Sequence, residues 1–330
     1  MAEYLINATD LTKVASAIRE KGGTSAALVY PTGFVSAIQA IRTGAPFQII
    51  VTTSAGATVT ATKDSKTVSG TADTNGECIL TVTEVGTWTV TATLASSTNT
   101  VDVVVGTANV DMIMSDPVFG NNSWAAIIKA CQEKQVPETW KVGDSCNMTI
   151  NNKTYAIDII GKNHDDYADG SGKAPLTFQL HDCYDKVEKM NSSDTNSGGW
   201  KNSEMRTTHL PSILALTPTE VQNGIREVSK KTSVGGGSST IETVSDKLFL
   251  LSEVEIFGST THSAEGEGMQ YDYYKAGNSK VKNLDGSAAT WRERSPYASS
   301  SKFFCVVTRS GNANYLNANY PYGVAFGFCF

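Results

Sequence analysis

Hydrophobic positions recur at different periods along this chain, and the changes of period mark its parts. Leu11, Val14, Ala15 and Ile18 repeat at helical spacing, with Asp10 placed to cap the helix and Gly22-Gly23 to stop it. After a turn at Pro31, the positions Phe34, Ile38 and Ile41 outline a second short helix ending near Gly44. Helices this short do not bury their apolar faces alone, so residues 1–44 are expected to pack on another subunit or a larger assembly. From 45 to 106 the period becomes two: IIV at 49–51, ATVTAT at 57–62, CILTVT at 78–83, TWTVTAT at 87–93 and VDVVV at 101–105 alternate inward and outward, separated by Gly and Asn turns. That pattern predicts a small all-β sandwich related to immunoglobulin modules, which usually serve as spacers, with adhesion as the alternative.

Residues 107–330 mix both periods. The segment 122–134 reads as a helix with Trp124, Ile127, Ile128 and Cys131 on one face. Strands at 146–150 and 154–160 follow, joined by an Asn151-Asn152 hairpin turn. Helices are expected at 203–210 and 217–228, the second opening on Thr217-Pro218-Thr219-Glu220. The stretch 233–240 reads as a flexible loop, and 246–257 (DKLFLLSEVEIF) as a buried strand with an exit turn.

A net charge of −6 over 330 residues argues against a dedicated nucleic-acid binder, which needs a basic stripe. The opening residues lack the basic and apolar regions of a secretory signal, and no apolar run approaches a membrane span, so synthesis in a cytoplasm without membrane insertion is expected. The six cysteines form no CxxC pair and read as buried thiols; a Cys305–Cys329 contact is open, since both flank the last strands.

Catalytic signatures are few. His164, Asp165, Asp166 and Asp169 form a loop of potential oxygen ligands, with Asp165, Asp166 and Asp169 as the calcium candidates, although the spacing is not that of an EF-hand and a solvated turn serves equally. His181-Asp182-Cys183 lacks a cysteine-nucleophile signature. Glu253 and Glu255 are spaced to share one face of a strand, without an evident partner acid. Gly235–Gly237 lacks the Lys-Ser/Thr of a phosphate cradle. No enzyme and no cofactor other than structural calcium is indicated.

Ten of the 28 aromatic residues fall in the forty residues 291–330, and after Glu293 that segment has no acidic residue. Tyr with Ser, Gly and Asn is the composition of a recognition surface, though Tyr-rich strands closing a core would look similar.

The segment opens WRERSP and closes GVAFGFCF around GNAN and NAN. It resembles the C-terminal repeat of C-type-lectin-fold proteins diversified by retroelements, a family related to the phage major tropism determinant. Firmicutes-phage relatives open the segment W-W-L-R-S-P and close it on G-V-x-x-x-F-C. Trp291, Arg294, Ser295 and Pro296 keep the opening, while Arg292 and Glu293 depart from it. The resemblance continues through NHDDYADGSGKAPLTFQLHDC, NSGGWKNSEMR and SDKLFLLSEVEIFG, covering roughly 116–330, and the opening residues resemble N-terminal segments of phage tail proteins.

This resemblance implies an α+β fold in three parts: an N-terminal helical attachment or oligomerisation segment (1–44), an Ig-like β-sandwich spacer (45–106), and a C-type-lectin-like domain of the formylglycine-generating type (107–330) with a variable region at about 291–330. It implies adenine-directed diversification at Asn-type codons in NANYLNANYPYG. It further implies a phage tail-tip protein, a homotrimer among other tail proteins, that binds a bacterial surface protein or glycan. A bacterial or prophage-encoded adhesin, and an enzyme on the related fold, are the alternatives. The contact residues expected on this basis are Arg292, Glu293, Tyr297, Ser299, Ser301, Lys302, Phe304, Tyr315, Leu316, Asn317, Tyr320 and Tyr322, with Trp291, Arg294, Phe326 and Phe328 assigned to the scaffold.

Overall fold

In the computed structural model, residues 8–20, 47–95, 97–105 and 115–330 are described. The chain divides into two compact units, 1–116 and 117–330, and is mixed α/β with mostly strands and few short helices.

In the first unit, a helix runs Ala8–Glu20, starting ahead of Asp10, so that residue lies inside the helix. Ala15 and Ile18 are its buried positions. The second expected helix, at Phe34, Ile38 and Ile41, lies outside the described residues.

Six strands follow: β1 Phe47–Thr52, β2 Thr58–Lys63, β3 Lys66–Thr71, β4 Glu77–Val82, β5 Gly86–Leu94 and β6 Ser97–Val105. They form a two-stranded sheet, β1-β4, and a four-stranded sheet in the order β3-β2-β5-β6. Period-two alternation sends Ile49, Val51, Val59, Leu80, Trp88 and Val90 into one shared core between the sheets. The opposite positions of the four-stranded sheet line up in register across all four strands. One row reads Thr71, Thr58, Thr93, Thr98; the next Ser69, Thr60, Thr91, Thr100; the third Thr67, Thr62, Thr89, Asp102.

The second unit is built around a five-stranded sheet ordered β12-β18-β9-β8-β7, from β7 Ser145–Ile150, β8 Lys153–Lys162, β9 Leu176–Leu180, β12 Leu248–Phe249 and β18 Gly327–Cys329. The β7–β8 turn is the expected Asn151-Asn152 pair, both left-handed at φ 48° and 64°. The helix Trp124–Gln132, capped by the Ser123 hydroxyl, packs its apolar face into the core. There Trp124, Phe178, Phe328 and Phe330 form ring contacts at 5.2–6.1 Å.

β10 Val228–Ser233 pairs with β11 Ile241–Asp246, and β13 Lys282–Leu284 with β14 Ser287–Ala289. A last sheet is ordered β15-β16-β17, from Trp291–Pro296, Phe303–Val307 and Ala313–Asn317.

Several local expectations are refined or corrected. The helix expected at 203–210 is present, as a π-helical turn at Met205–His209 that runs on into a short α-helix, Leu210–Leu214. The next helix is only Thr219–Gly224; the Thr217 hydroxyl donates back to the Leu214 carbonyl instead of capping it, and Val228 already starts a strand. The glycine run is a tethered hairpin connection: Gly235, Gly236 and Gly237 all have positive φ, and the Gly236 amide donates to the Asn196 side chain. Finally, 253–257 is a helix with a complete Ser252–Glu255 capping box, not part of a strand.

Candidate recognition surface

The three-stranded sheet β15-β16-β17 carries the candidate surface on its loops and outer strand. β17 pairs with β16 in simple antiparallel register, setting Tyr315 opposite Cys305 and Asn317 opposite Phe303. Tyr297, just past β15, stacks on Tyr315 with ring centroids 3.9 Å apart and planes 6° from parallel. Phe303 and His262 flank Tyr315 at 5.3 and 5.1 Å, and Tyr320 stands 55% exposed on the following turn. The patch is aromatic, rimmed by Ser299, Ser301, Lys302 and Asn314, all exposed.

Supports below this patch grip main-chain carbonyls. The Arg292 guanidinium is buried and donates to the carbonyls of Leu316, Asn317 and Tyr320 at 3.3, 2.6 and 2.5 Å, with its plane 4.7 Å from the Tyr322 ring. Burial lowers its pKa to about 10. The Asn196 side-chain amide, fully buried, donates to the carbonyls of Tyr297, Ser300 and Phe303 at 3.4, 2.8 and 2.7 Å, while its own backbone amide donates to Ser301. The Ala318 carbonyl accepts from the amides of Met190 and Asn191. One side chain of the patch is also tied: Asn317 donates to Asp194 at 2.9 Å.

Deeper, a buried ionic network joins β15 to the rest of the unit. Arg294 pairs with Glu255 through both terminal nitrogens and also donates to the carbonyls of Lys231, Leu250 and Glu267. Lys230 bridges Glu255 at 2.8 Å and Asp165 at 2.7 Å, and Tyr271 donates to Asp165. Burial acts to raise the Asp165 carboxyl, but the charge and hydrogen bond of Lys230, with the Thr177 hydroxyl, together outweigh it and bring the pKa down to about 2. For Lys230, burial opposes the charged form, and the two carboxylates overcome it and raise its pKa.

Glu253 and Glu255 sit two apart on one helix and serve different partners. Glu253 accepts from the backbone amides of His262 and Ser263, fixing the segment that bridges to Tyr297, whereas Glu255 holds Arg294. They do not converge as a pair of acids on an open cleft. Glu293 differs again: it is fully buried, neither carboxyl oxygen has a hydrogen-bond partner, and burial together with the charges of Glu253 and Glu267 holds its pKa well above the ordinary carboxylate range.

Of the expected contact residues, the structure leaves Tyr297, Ser299, Ser301, Lys302, Tyr315, Leu316, Asn317, Tyr320 and Tyr322 exposed or half-buried. Arg292, Glu293 and Phe304 are corrected: all three are fully buried, because β15 is covered on both faces and Phe304 points into the core. Trp291, Arg294, Phe326 and Phe328 are buried as well.

The calcium candidates do not assemble. Asp165 is consumed by Lys230, Thr177 and Tyr271; Asp166 pairs with Lys173 on the surface; Asp169 pairs with Arg226 and caps the Ser171 amide. Among the described residues, no cluster of His, Cys, Asp or Glu has metal-binding geometry. His181 Nδ1 is bonded to Asp158 at 2.8 Å, and burial pushes the neighbouring Cys183 thiol up to about 12, away from thiolate chemistry. All six cysteines are free and buried. Cys305 and Cys329 lie on different sheets, the latter thiol facing Thr177 and Asp165.

Asn196, His262, Glu253 and Lys230 carry structural roles at this surface that single-sequence reasoning did not assign. Glu253 was legible only as a possible acid, and Asn196 only within NSGGW, where consecutive left-handed Gly198 and Gly199 mark a tight turn.

No helix among the described residues is long and apolar enough to cross a membrane. Residues 176–329, from β9 through β18, match the family model described as a domain of unknown function, DUF6273. No curated protein matches the chain.

Proposed function

We propose that the chain is a receptor-binding protein of a phage tail, with a C-type-lectin-like domain that presents a diversified surface to a bacterial cell-surface ligand. The observation that carries this reading is the division of labour at β15-β17. Arg292 and Asn196 hold the two loops by carbonyl oxygens common to every residue type, so the exposed side chains between them can change while the loops stay in place. An aromatic pair rimmed by Ser, Asn and Lys is suited to non-covalent recognition of a protein or glycan. Display as a trimer in several copies per virion would turn modest single-site affinity into avidity.

Binding of the labelled, purified chain to a panel of bacterial cells tests the reading. Saturable binding to some strains, lost in the Tyr315→Ala/Tyr320→Ala variant, supports it; equal retention of that variant removes the surface from consideration. The diversification claim stands on its own test. A reverse-transcriptase gene beside a near-copy of the 291–330 coding segment, differing only at adenines, is expected in the neighbouring DNA, and its absence removes the claim. A bacterial surface adhesin with the same domain is the second reading, distinguished by finding the protein on cells instead of virions.

A further inference from the structure

Lys134 follows the helix Trp124–Gln132, Lys162 ends β8, and Lys173 stands in the loop ahead of β9; all three line one cavity of about 450 Å³ in the second unit. Repulsion between like charges works against such a grouping unless something holds it. Two of the ammonium groups are held by main-chain oxygens: Lys162 donates to the Trp140 carbonyl and Lys173 to the His164 carbonyl, each at 3.1 Å. Lys173 also pairs with Asp166 at 2.9 Å. The Lys134 ammonium reaches the same loop, 3.8 Å from where Gly172 would carry a Cβ. A cation just past a helix C-terminus is favourable by itself, which accounts for Lys134. It does not account for β8 and the following loop bringing Lys162 and Lys173 to the same cavity.

Donors outnumber the acceptors around them. Of the nine ammonium protons, three are taken by Trp140, His164 and Asp166, which leaves six for an outside partner. That number suits a phosphate, whose several oxygens each accept more than one hydrogen bond, better than the two oxygens of a carboxylate. Among the described residues, Glu138 is the only carboxylate in the lining, so the cavity is positive in a chain of net charge −6. Glu138 and Asn163 add groups that bond hydroxyls, and Val136 and Pro175 supply a small apolar wall. The space is larger than a bare phosphate needs and falls in the usual range for small-molecule sites, roughly 300–1,000 Å³.

We propose that this cavity binds a phosphorylated sugar or polyol, with its phosphate on Lys134, Lys162 and Lys173 and its hydroxyls towards Glu138 and Asn163. No residue of β15-β17 lines the cavity, so the site stands apart from the recognition surface.

Isothermal titration calorimetry of the full chain with glycerol 3-phosphate, inorganic phosphate and glycerol tests this. Saturable binding of glycerol 3-phosphate is expected at millimolar concentration or below, tighter than that of inorganic phosphate, absent for glycerol and weakened by added salt. Lys134→Gln should weaken it about tenfold, as loss of one charge-assisted contact implies. Thermal unfolding of that variant should be nearly unchanged, since Lys134 is exposed. Lys162→Gln should weaken binding by a similar factor, and Tyr315→Ala/Tyr320→Ala should leave it intact. Sedimentation with phosphatidylglycerol vesicles separates two sources of the group: co-sedimentation that depends on Lys134 assigns it to a lipid headgroup, and no co-sedimentation to a water-soluble or polymer-borne phosphate. The proposal is overturned by no saturable binding of glycerol 3-phosphate, by native affinity in Lys134→Gln, or by inorganic phosphate binding as tightly as glycerol 3-phosphate.

Discussion

The rings of Tyr297 and Tyr315 lie 3.9 Å apart and nearly parallel, one from the loop after β15 and the other from the outer strand β17. The pair ties two separately supported segments into one aromatic patch. Removing Tyr315 breaks that tie together with its ring contacts to Phe303 and His262. Tyr315→Ala is expected to cost about 0.5–1.5 kcal/mol from the lost ring pairing, a Tm change of roughly 2–5 °C. Adding Tyr320→Ala should eliminate cell binding with little further loss of stability, as calorimetry and a cell-binding assay on the same samples would reveal. Loss of folding in the double variant would instead make these side chains part of the core.

Asn196 should matter far more to stability than its size suggests. Asn196→Ala strips partners from the carbonyls of Ser300 and Phe303 and from the Gly236 amide, all at partly buried sites. The expected destabilisation is about 2–4 kcal/mol, within the range for orphaned buried polar groups. Hydrogen exchange should quicken across 297–303 before it does elsewhere in the unit.

Lys230 closes a charged network that cannot be broken on one side. Lys230→Met leaves the Asp165 and Glu255 carboxylates facing each other without their shared cation. A loss of about 3–5 kcal/mol is expected in denaturant unfolding. Adding Asp165→Asn should recover part of it.

Two carboxyls in the second unit give opposite pH dependences. Asp165 has a folded pKa of about 2, below its unfolded value, so its stabilisation is complete above that unfolded value and fades as pH falls towards 2. Glu293 has a folded pKa far above its unfolded value, so the folded state keeps a proton that the unfolded chain has released, and stability falls as pH rises past about 4.3. Glu293→Gln removes that slope. Its Tm advantage over the native chain should therefore be larger at about pH 8 than at about pH 5, with Glu267, also raised by burial, retaining a share of the dependence. An equal Tm difference at the two pH values would contradict the assignment.

Local signals in the sequence served well where the deciding interactions are local. The Asn151-Asn152 turn and the apolar face at Trp124, Ile127 and Cys131 need no distant partner to be read. EVEIF failed because five residues are too few to separate a strand from a helix; the Ser252–Glu255 capping box decides it. The resemblance places Arg292 and Glu293 at the surface as the two departures from the W-W-L-R-S-P opening, and nothing in that pattern indicates that both are buried. The groups that make burial of β15 tolerable come from Glu255, Glu267 and Lys231, or from carbonyls two dozen residues downstream, and no spacing rule reaches them. Glu293 has no such partner, and nothing in its neighbours foretold a carboxyl left alone in the core.

The position of β18 has a consequence for biosynthesis. Residues 327–329 fill the slot between β9 and β12, inside the sheet on which the second unit is built. Those residues leave the ribosome after the whole 297–322 stretch. Any chain whose reading frame is lost within that stretch therefore lacks a central strand and exposes the edges of its neighbours, which makes it a target for proteolysis. A check on the message is thus built into the order of the strands: a chain that folds has been translated in frame through 297–322.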